Sequence, residues 1–173
     1  MKYIRLFEEF LSESLMDSEI IKEVNRILTL NKKRGAPDWK YAQIPTNWEV
    51  FKKKSKVKSC DVMKSMGCYD NALEYSKNTD MLLYVGVFIN IAGLEDAIEW
   101  MDSDDGSEIN KINPWYFIFP HAFNVDKNKR IYDVTIDKDM NGHIYFGVKV
   151  DPKKFKSGFG EIMPYLNKLI KRS

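Results

Sequence analysis

The chain has 173 residues, 44% of them hydrophobic and 13% aromatic, which supplies one core of ordinary size and fits a single domain. A net charge of +2 excludes the broad cationic surface of a nucleic-acid polyelectrolyte partner. Two cysteines and two histidines, scattered along the chain, exclude a disulfide scaffold and a structural zinc site, and no metal or other cofactor is expected. The cysteines read as free thiols in a reducing compartment, hence a cytoplasmic protein.

Residues 3 to 13 carry Leu6, Phe7, Phe10 and Leu11 at helical spacing, with Arg5, Glu8, Glu9 and Ser12 between them. Glu8 and Glu9 interrupt the apolar run, so a secretory signal is not expected, and the absence of ~18 consecutive apolar residues predicts no transmembrane helix and no membrane partner. A second helix is predicted from Asp17 or Ser18, with Ile20, Ile21, Val24, Ile27 and Leu28 on one stripe and Asn31 or Gly35 ending it. The expected division is a helical segment over 1–35 and an α+β domain over 36–173.

The opening run from Met1 to Glu13 resembles the N-termini of tailed-phage proteins and is similar to capsid-targeting leaders that a prohead protease removes after Leu/Ile-x-Glu. Leu6-Phe7-Glu8 and Leu11-Ser12-Glu13 are the two matching tripeptides. That resemblance implies a phage-encoded protein, working in the host cytoplasm or carried in the virion.

Residues 31–45 read as a loop, punctuated by Gly35, Pro37 and Pro45. Thr46-Asn47-Trp48-Glu49 has the form of a capping box and predicts a short helix to about Lys54. The basic run Lys52, Lys53, Lys54, Lys56 and Lys58 then reads as a solvated helix end or as a phosphate-binding patch. Tyr69, Ala72, Leu73 and Ser76 fall at i, i+3, i+4 and i+7, so a helix is predicted over 69–77. Met81 to Ala92 reads as a central strand: Leu83, Val85, Val87, Ile89 and Ile91 share one face, and Leu82, Tyr84, Gly86 and Phe88 the other. Gly93 is expected to turn the chain into a short helix over 94–101, followed by the acidic loop 102–108.

Three further strands are expected: Trp115 to Val125, Arg130 to Ile136 after a turn at Asp126-Lys127-Asn128-Lys129, and His143 to Val150. Asp137-Lys138-Asp139-Met140-Asn141-Gly142 matches half a calcium loop. Val148 stands where the bidentate Glu belongs, which favours a hairpin turn over a calcium site. Pro164 starts a terminal helix to about Lys171. Helices followed by strands predict an α+β fold, with an antiparallel sheet packed on helices.

Three residues in this frame suggest chemistry. Cys68 follows Gly67 at the start of a helix, where unpaired N–H groups and the helix dipole favour a thiolate. A buried, inert thiol is the plain alternative. His121 lies within a strand, a rigid mount for a general base. Asp133 interrupts apolar neighbours in the next strand, an unusual place for a carboxylate that is not used. A three-residue loop at Lys127-Asn128-Lys129, with Asn128 left-handed, pairs Asp126 with Arg130 and sets Asp133 on His121's face. A two-residue loop sets it on the other face.

Gly67-Cys68-Tyr69, His121-Ala122-Phe123-Asn124-Val125-Asp126 and Arg130-Ile131-Tyr132-Asp133-Val134-Thr135 resemble the Cys, His-Ala-Trp and Asp-Pro-Thr blocks of transglutaminase-like proteins, within the papain-like cysteine-enzyme superfamily. Phe123 stands for the usual Trp and Val134 for the usual Pro. The resemblance implies a papain-like, transglutaminase-like core with Cys68 as nucleophile, His121 as base and Asp133 as orienting carboxylate. It further implies acyl transfer on a protein or peptide substrate, with hydrolysis, deamidation and cross-linking left open. Gln43, the lone glutamine, is the oxyanion candidate, and Trp48 and Trp115 are candidate walls of a substrate groove. A non-enzymatic virion or host-factor-binding protein and a nucleic-acid-binding accessory protein remain alternatives. No oligomeric state is readable.

Overall fold

The computed structural model describes residues 15–33, 43–45, 48–52, 67–102, 117–136 and 143–154. The leader-like helix, most of the lysine run, Trp115, the acidic loop beyond Asp102, the calcium-like segment 137–142 and the terminal helix lie outside these residues. Among the described residues the architecture is α+β, three helices on a curled, antiparallel five-stranded sheet. In chain order the elements are α1 (Leu15–Lys33), β1 (Glu49–Phe51), α2 (Cys68–Asn78), β2 (Leu82–Asn90), α3 (Ile91–Asp102), β3 (Ile118–Val125), β4 (Ile131–Tyr132) and β5 (His143–Val150). The strand order is β1-β5-β2-β3-β4. No helix among the described residues is long and apolar enough to cross a membrane.

Strand β2 is central, as its two apolar faces require, and pairs with β3 on one side and β5 on the other. Its first face, Leu83, Val85, Val87 and Ile89, packs in the main core with Ala122, Ile144 and Phe146 from the neighbouring strands. The helices supply the rest of that core. Ile20, Ile21, Val24, Ile27 and Leu28 of α1 belong to it, so α1 is part of the same core as the sheet. Tyr69, Ala72 and Leu73 of α2 and Leu94 and Ala97 of α3 join them.

The second face carries a separate cluster of Phe51, Tyr84, Phe88, Phe123, Val125, Ile131 and Tyr145. These rings are buried because the sheet curls over them. Strands β1 and β3 are three steps apart, which in a flat sheet separates them by about 14 Å. The rings of Phe51 on β1 and Phe123 on β3 nevertheless lie 5.7 Å apart edge to face. Glu49 of β1 likewise reaches the β3–β4 turn, pairing with Lys129, and accepts a hydrogen bond from Tyr84 at 2.7 Å.

Two glycines make room for this curl. Gly86 and Gly147 are direct partners in the ladder. A Cβ on Gly86 would stand 1.9 Å from the Phe146 carbonyl oxygen, and one on Gly147 would stand 3.1 Å from the tip of the Phe123 ring. Glycine in a strand interior marks such close approaches.

Several sequence expectations are corrected. Residues 49–51 form a strand, not a helix: Glu49 does not fold back as a cap but crosses the sheet to Tyr84 and Lys129, and Val50 and Phe51 pair with Phe146 and Tyr145. Tertiary pairing overrides the local capping signal. Helix α1 starts at Leu15 rather than at Asp17 or Ser18, and α3 at Ile91, so Gly93 lies inside its first turn. The return strand is only Ile131–Tyr132; from Asp133 the chain turns away.

Candidate active site

Helix α2 begins at Cys68, and its first described intrahelical bond runs from the Asn71 N–H to the Gly67 carbonyl at 2.8 Å. Gly67 sits at φ −103°, not in the left-handed region, so its contribution is the missing side chain: it places no capping group over the helix start. Cys68 is a free thiol, half-buried, at that N-terminus. Asp70 in the first turn and Lys77 in the last complement the helix dipole.

The hairpin fixes the second component. Asn124 pairs with Tyr132 and Val125 with Ile131, and the Asp126 N–H donates to the Arg130 carbonyl at 3.0 Å. The loop is therefore Lys127-Asn128-Lys129, the odd-length register. The left-handed residue is Lys129 at φ 59°, not Asn128. A turn from Asp126 to Lys129 closes at 3.1 Å, and the Asp126 side chain accepts from the N–H groups of Asn128 and Arg130, so Asp126 anchors the tip.

On β3, His121 pairs with Gly86 and points into the aromatic face, 3% exposed. The ring of Phe88 meets it edge-on at 5.2 Å. Asp133, 1% exposed, reaches it from the segment just past β4 rather than from the ladder. Its Oδ1 accepts from the N–H groups of Thr135 and Ile136 at 3.1 and 3.0 Å. Its Oδ2 accepts from His121 Nε2 at 2.7 Å and from the Tyr145 hydroxyl at 2.9 Å. All of these partners are donors, so the carboxylate is held ionised.

The electrostatics follow. Burial works against the His121 charge, but Asp133 beside it, the hydrogen bond to Asp133 and the Cys68 side chain overcome that and lift the imidazole to about 9. Burial likewise works against the Asp133 charge, and its His121, Tyr145 and Ile136 partners outweigh it, holding the carboxyl below its ordinary value. With Nε2–H committed to Asp133, Nδ1 is the ring nitrogen left to act on a thiol, and the Cys68 side chain is near enough to help raise the imidazole.

Two further bonds bind the carrier elements together. Asn124 Nδ2 on β3 donates to the Ala72 carbonyl of α2 at 2.9 Å. Asn71 Nδ2 of α2 donates to Thr135 Oγ1, just past Asp133, at 3.0 Å. The three segments that carry Cys68, His121 and Asp133 are thus tied to one another, with His121 and Asp133 in direct contact.

Other candidate residues are not part of it. Gln43 is exposed and lines a shallow hollow on α1 with Ser18, Ile21, Lys22, Asn25, Arg26 and Thr29, while its neighbour Ile44 is clamped by both side-chain atoms of Asn25. Trp48 is 6% exposed within the main core, so its indole is packing rather than a groove wall. Trp115 lies outside the described residues. The residue that sequence reasoning missed is Tyr145, which reads as an ordinary strand aromatic. The available signal was that a buried tyrosine hydroxyl needs a partner, and Asp133 has acceptor positions to spare.

Comparison with family models, with curated proteins and with solved structures finds no match.

Proposed function

We propose that the chain is a cysteine-dependent acyl-transfer enzyme with a papain-like, transglutaminase-like core, acting on an amide carbonyl of a protein or peptide. The observation that carries this reading is the buried His121, hydrogen-bonded through Nε2 to an ionised Asp133, with Cys68 at a helix start near enough to help raise the imidazole.

His121 lifted to about 9 is an imidazolium at neutral pH, the form that keeps a neighbouring thiolate paired. The sulfur attacks the carbonyl carbon, and the carbonyl π pair moves onto oxygen. Backbone N–H groups at the start of α2, that of Cys68 first, are the donors proposed for that oxyanion. As the tetrahedral intermediate collapses, the imidazolium gives its proton to the leaving nitrogen, the C–N bond breaks and a thioester remains. Neutral His121 then takes a proton from water or an amine, that nucleophile attacks the thioester, and the C–S bond breaks to return the starting pair. Asp133 holds the ring's tautomer throughout. A phage origin, with work in the host cytoplasm or carriage in the virion, is the companion reading and rests on the N-terminal Leu-x-Glu tripeptides.

The test is alkylation of the full chain by iodoacetamide at about pH 6–7, with peptide mapping of both cysteines. Cys68 reacting tenfold or more faster than Cys60, with the excess removed by His121→Ala, is the expected result. Equal rates in a folded protein overturn the reading.

A further inference from the structure

We infer that Tyr145 is a positioning residue of this site: its hydroxyl shares Asp133 Oδ2 with the His121 ring and so sets how strongly the carboxylate holds the imidazole. The inference rests on the proposed acyl-transfer reading for its consequence, though its physical core does not.

The geometry carries it. Tyr145 is on β5 and His121 on β3, with β2 between them. On the aromatic face the row that contains His121 is continued by Gly86 and then Gly147. Neither has a side chain in that row, and the phenol reaches across β2 to the Asp133 carboxylate. Its ring centroid lies 5.9 Å from that of His121 and 5.8 Å from that of Phe88. The hydroxyl ends 2.9 Å from Asp133 Oδ2, the oxygen that His121 also uses at 2.7 Å.

Two donors on one carboxylate oxygen compete for the same electron density. Burial, together with the Asp133 charge beside it, pushes the phenol far above its ordinary range, so it stays a donor at any working pH. The groups that face the ring are Cys68 from α2, Asp133 from the segment after β4, Tyr145 from β5 and the uncharged Phe88 from β2. Of these, only Tyr145 acts through another group, tempering Asp133 and thereby the basicity of His121. Hydrolysis needs an imidazolium that gives its proton up; a carboxylate without the phenol would hold that proton more tightly.

The experiment follows the His121 ring by NMR across pH in the full chain carrying Cys68→Ala, where the thiol no longer contributes. The chain has only two histidines, which makes the assignment direct. Adding Tyr145→Phe is expected to raise the ring's titration midpoint by at least ~0.5 pH unit, because Oδ2 is released to His121 alone. Placing 3-fluorotyrosine at position 145, which keeps the hydroxyl and its packing but makes it a stronger donor, is expected to lower the midpoint. Movement in opposite directions supports the inference, and an unmoved midpoint in the fluorotyrosine protein overturns it even if Tyr145→Phe does not fold. Because Cys68 is absent from this assay, a failed acyl-transfer reading, seen as unselective alkylation of the native chain, is distinguishable from a failed role for Tyr145.

Discussion

The side-chain amide of Asn124 donates to the main-chain carbonyl of Ala72 at 2.9 Å, joining the strand that carries His121 to the helix that carries Cys68. Both residues are buried. His121 faces the aromatic side of the sheet, whereas Cys68 packs against the core on the helix side. Among the described residues β4 pairs only with Asn124 and Val125, so the outer edge of β3 beside His121 is open toward α2, and the approach of Cys68 to the ring depends on how α2 lies along β3. The Asn124 bond fixes that relation.

Replacing Asn124 by Ala should therefore weaken function more than stability. The lost buried hydrogen bond and the small void cost about 1–3 kcal/mol. Urea unfolding measures this directly. The alkylation rate of Cys68 should fall toward that of Cys60 in protein that is still folded. Asn71→Ala, which removes the tie to Thr135 at the half-buried end of the same helix, should act in the same direction with a smaller effect. If both variants alkylate at the native rate, the two amides are packing only.

Asp133→Asn tests the carboxylate with little change in volume. An amide can accept from the Thr135 and Ile136 N–H groups only by turning its NH2 toward His121, which then cannot donate through Nε2. The ring must adopt the other tautomer and lose the base facing Cys68. Catalytic rate should drop by roughly 10³–10⁴, the size of effect that a wrong tautomer produces in serine triads. Stability should fall by on the order of 3 kcal/mol, because a buried charge pair loses one partner. Activity retained within tenfold, at matched folding, would count against any role for Asp133 in orienting the base.

How much of this was legible in the sequence depends on whether the determinant is local. The alternation along 82–90 and the helical spacing of Tyr69, Ala72, Leu73 and Ser76 are local, and both elements form as the pattern dictates. The odd-length turn was open between two registers, and the ladder at Asn124–Tyr132 selects the one that serves Asp133. Glu49 shows the opposite case: its capping pattern with Thr46 is a good local signal, but pairing with β5 and the Tyr84 and Lys129 contacts come from residues 35 or more positions away. Asp133 is not the same-face ladder neighbour that the hairpin register predicts, because β4 ends at Tyr132. It reaches His121 by leaving the ladder, which its own side chain enforces by capping the Thr135 and Ile136 N–H groups in an Asx-type turn. The bond from Tyr145 to Asp133 depends on the strand order, which no local pattern encodes.

The pH dependence of stability has a definite sign at each end. His121 is lifted from 6.5 to about 9, so its contribution is fully present below about pH 6.5 and is lost as pH rises through about 9. A shift of that size in a buried group corresponds to roughly 3 kcal/mol. Asp133 is lowered from 3.8, so its contribution is present above about pH 4 and is lost as pH falls through its depressed folded value. Thermal unfolding should show a plateau between about pH 5 and 7 and a decline on the alkaline side near pH 8–9. In His121→Phe the alkaline decline should shrink, while in the native protein it should persist at high salt, since the pair is buried and poorly screened. An alkaline limb unchanged by His121→Phe would assign that decline to other groups.

The glycine pair gives the sharpest contrast, because two identical substitutions on adjacent partners meet different obstacles. In Gly86→Ala the new methyl would stand 1.9 Å from the Phe146 carbonyl oxygen and 2.6 Å from the Gly147 Cα. Both obstacles are main chain, held by the central ladder, so no rotamer change relieves them and β2 must separate from β5. In Gly147→Ala the methyl meets the Phe123 ring tip at 3.1 Å and the Val85 carbonyl at 3.1 Å, and a tilt of the ring by a few tenths of an ångström relieves most of the contact. Overpacking of the second kind costs about 1–3 kcal/mol. The first should exceed that range and leave little folded protein. Circular dichroism and urea midpoints should therefore rank native, then Gly147→Ala, then Gly86→Ala. Gly86 is also His121's direct partner on β3, so whatever fraction of Gly86→Ala does fold should have lost selective alkylation at Cys68, whereas Gly147→Ala should keep much of it. A Gly86→Ala protein as stable as Gly147→Ala would mean that the sheet can open at β2–β5 without cost, and the curl that buries His121 would then need another cause.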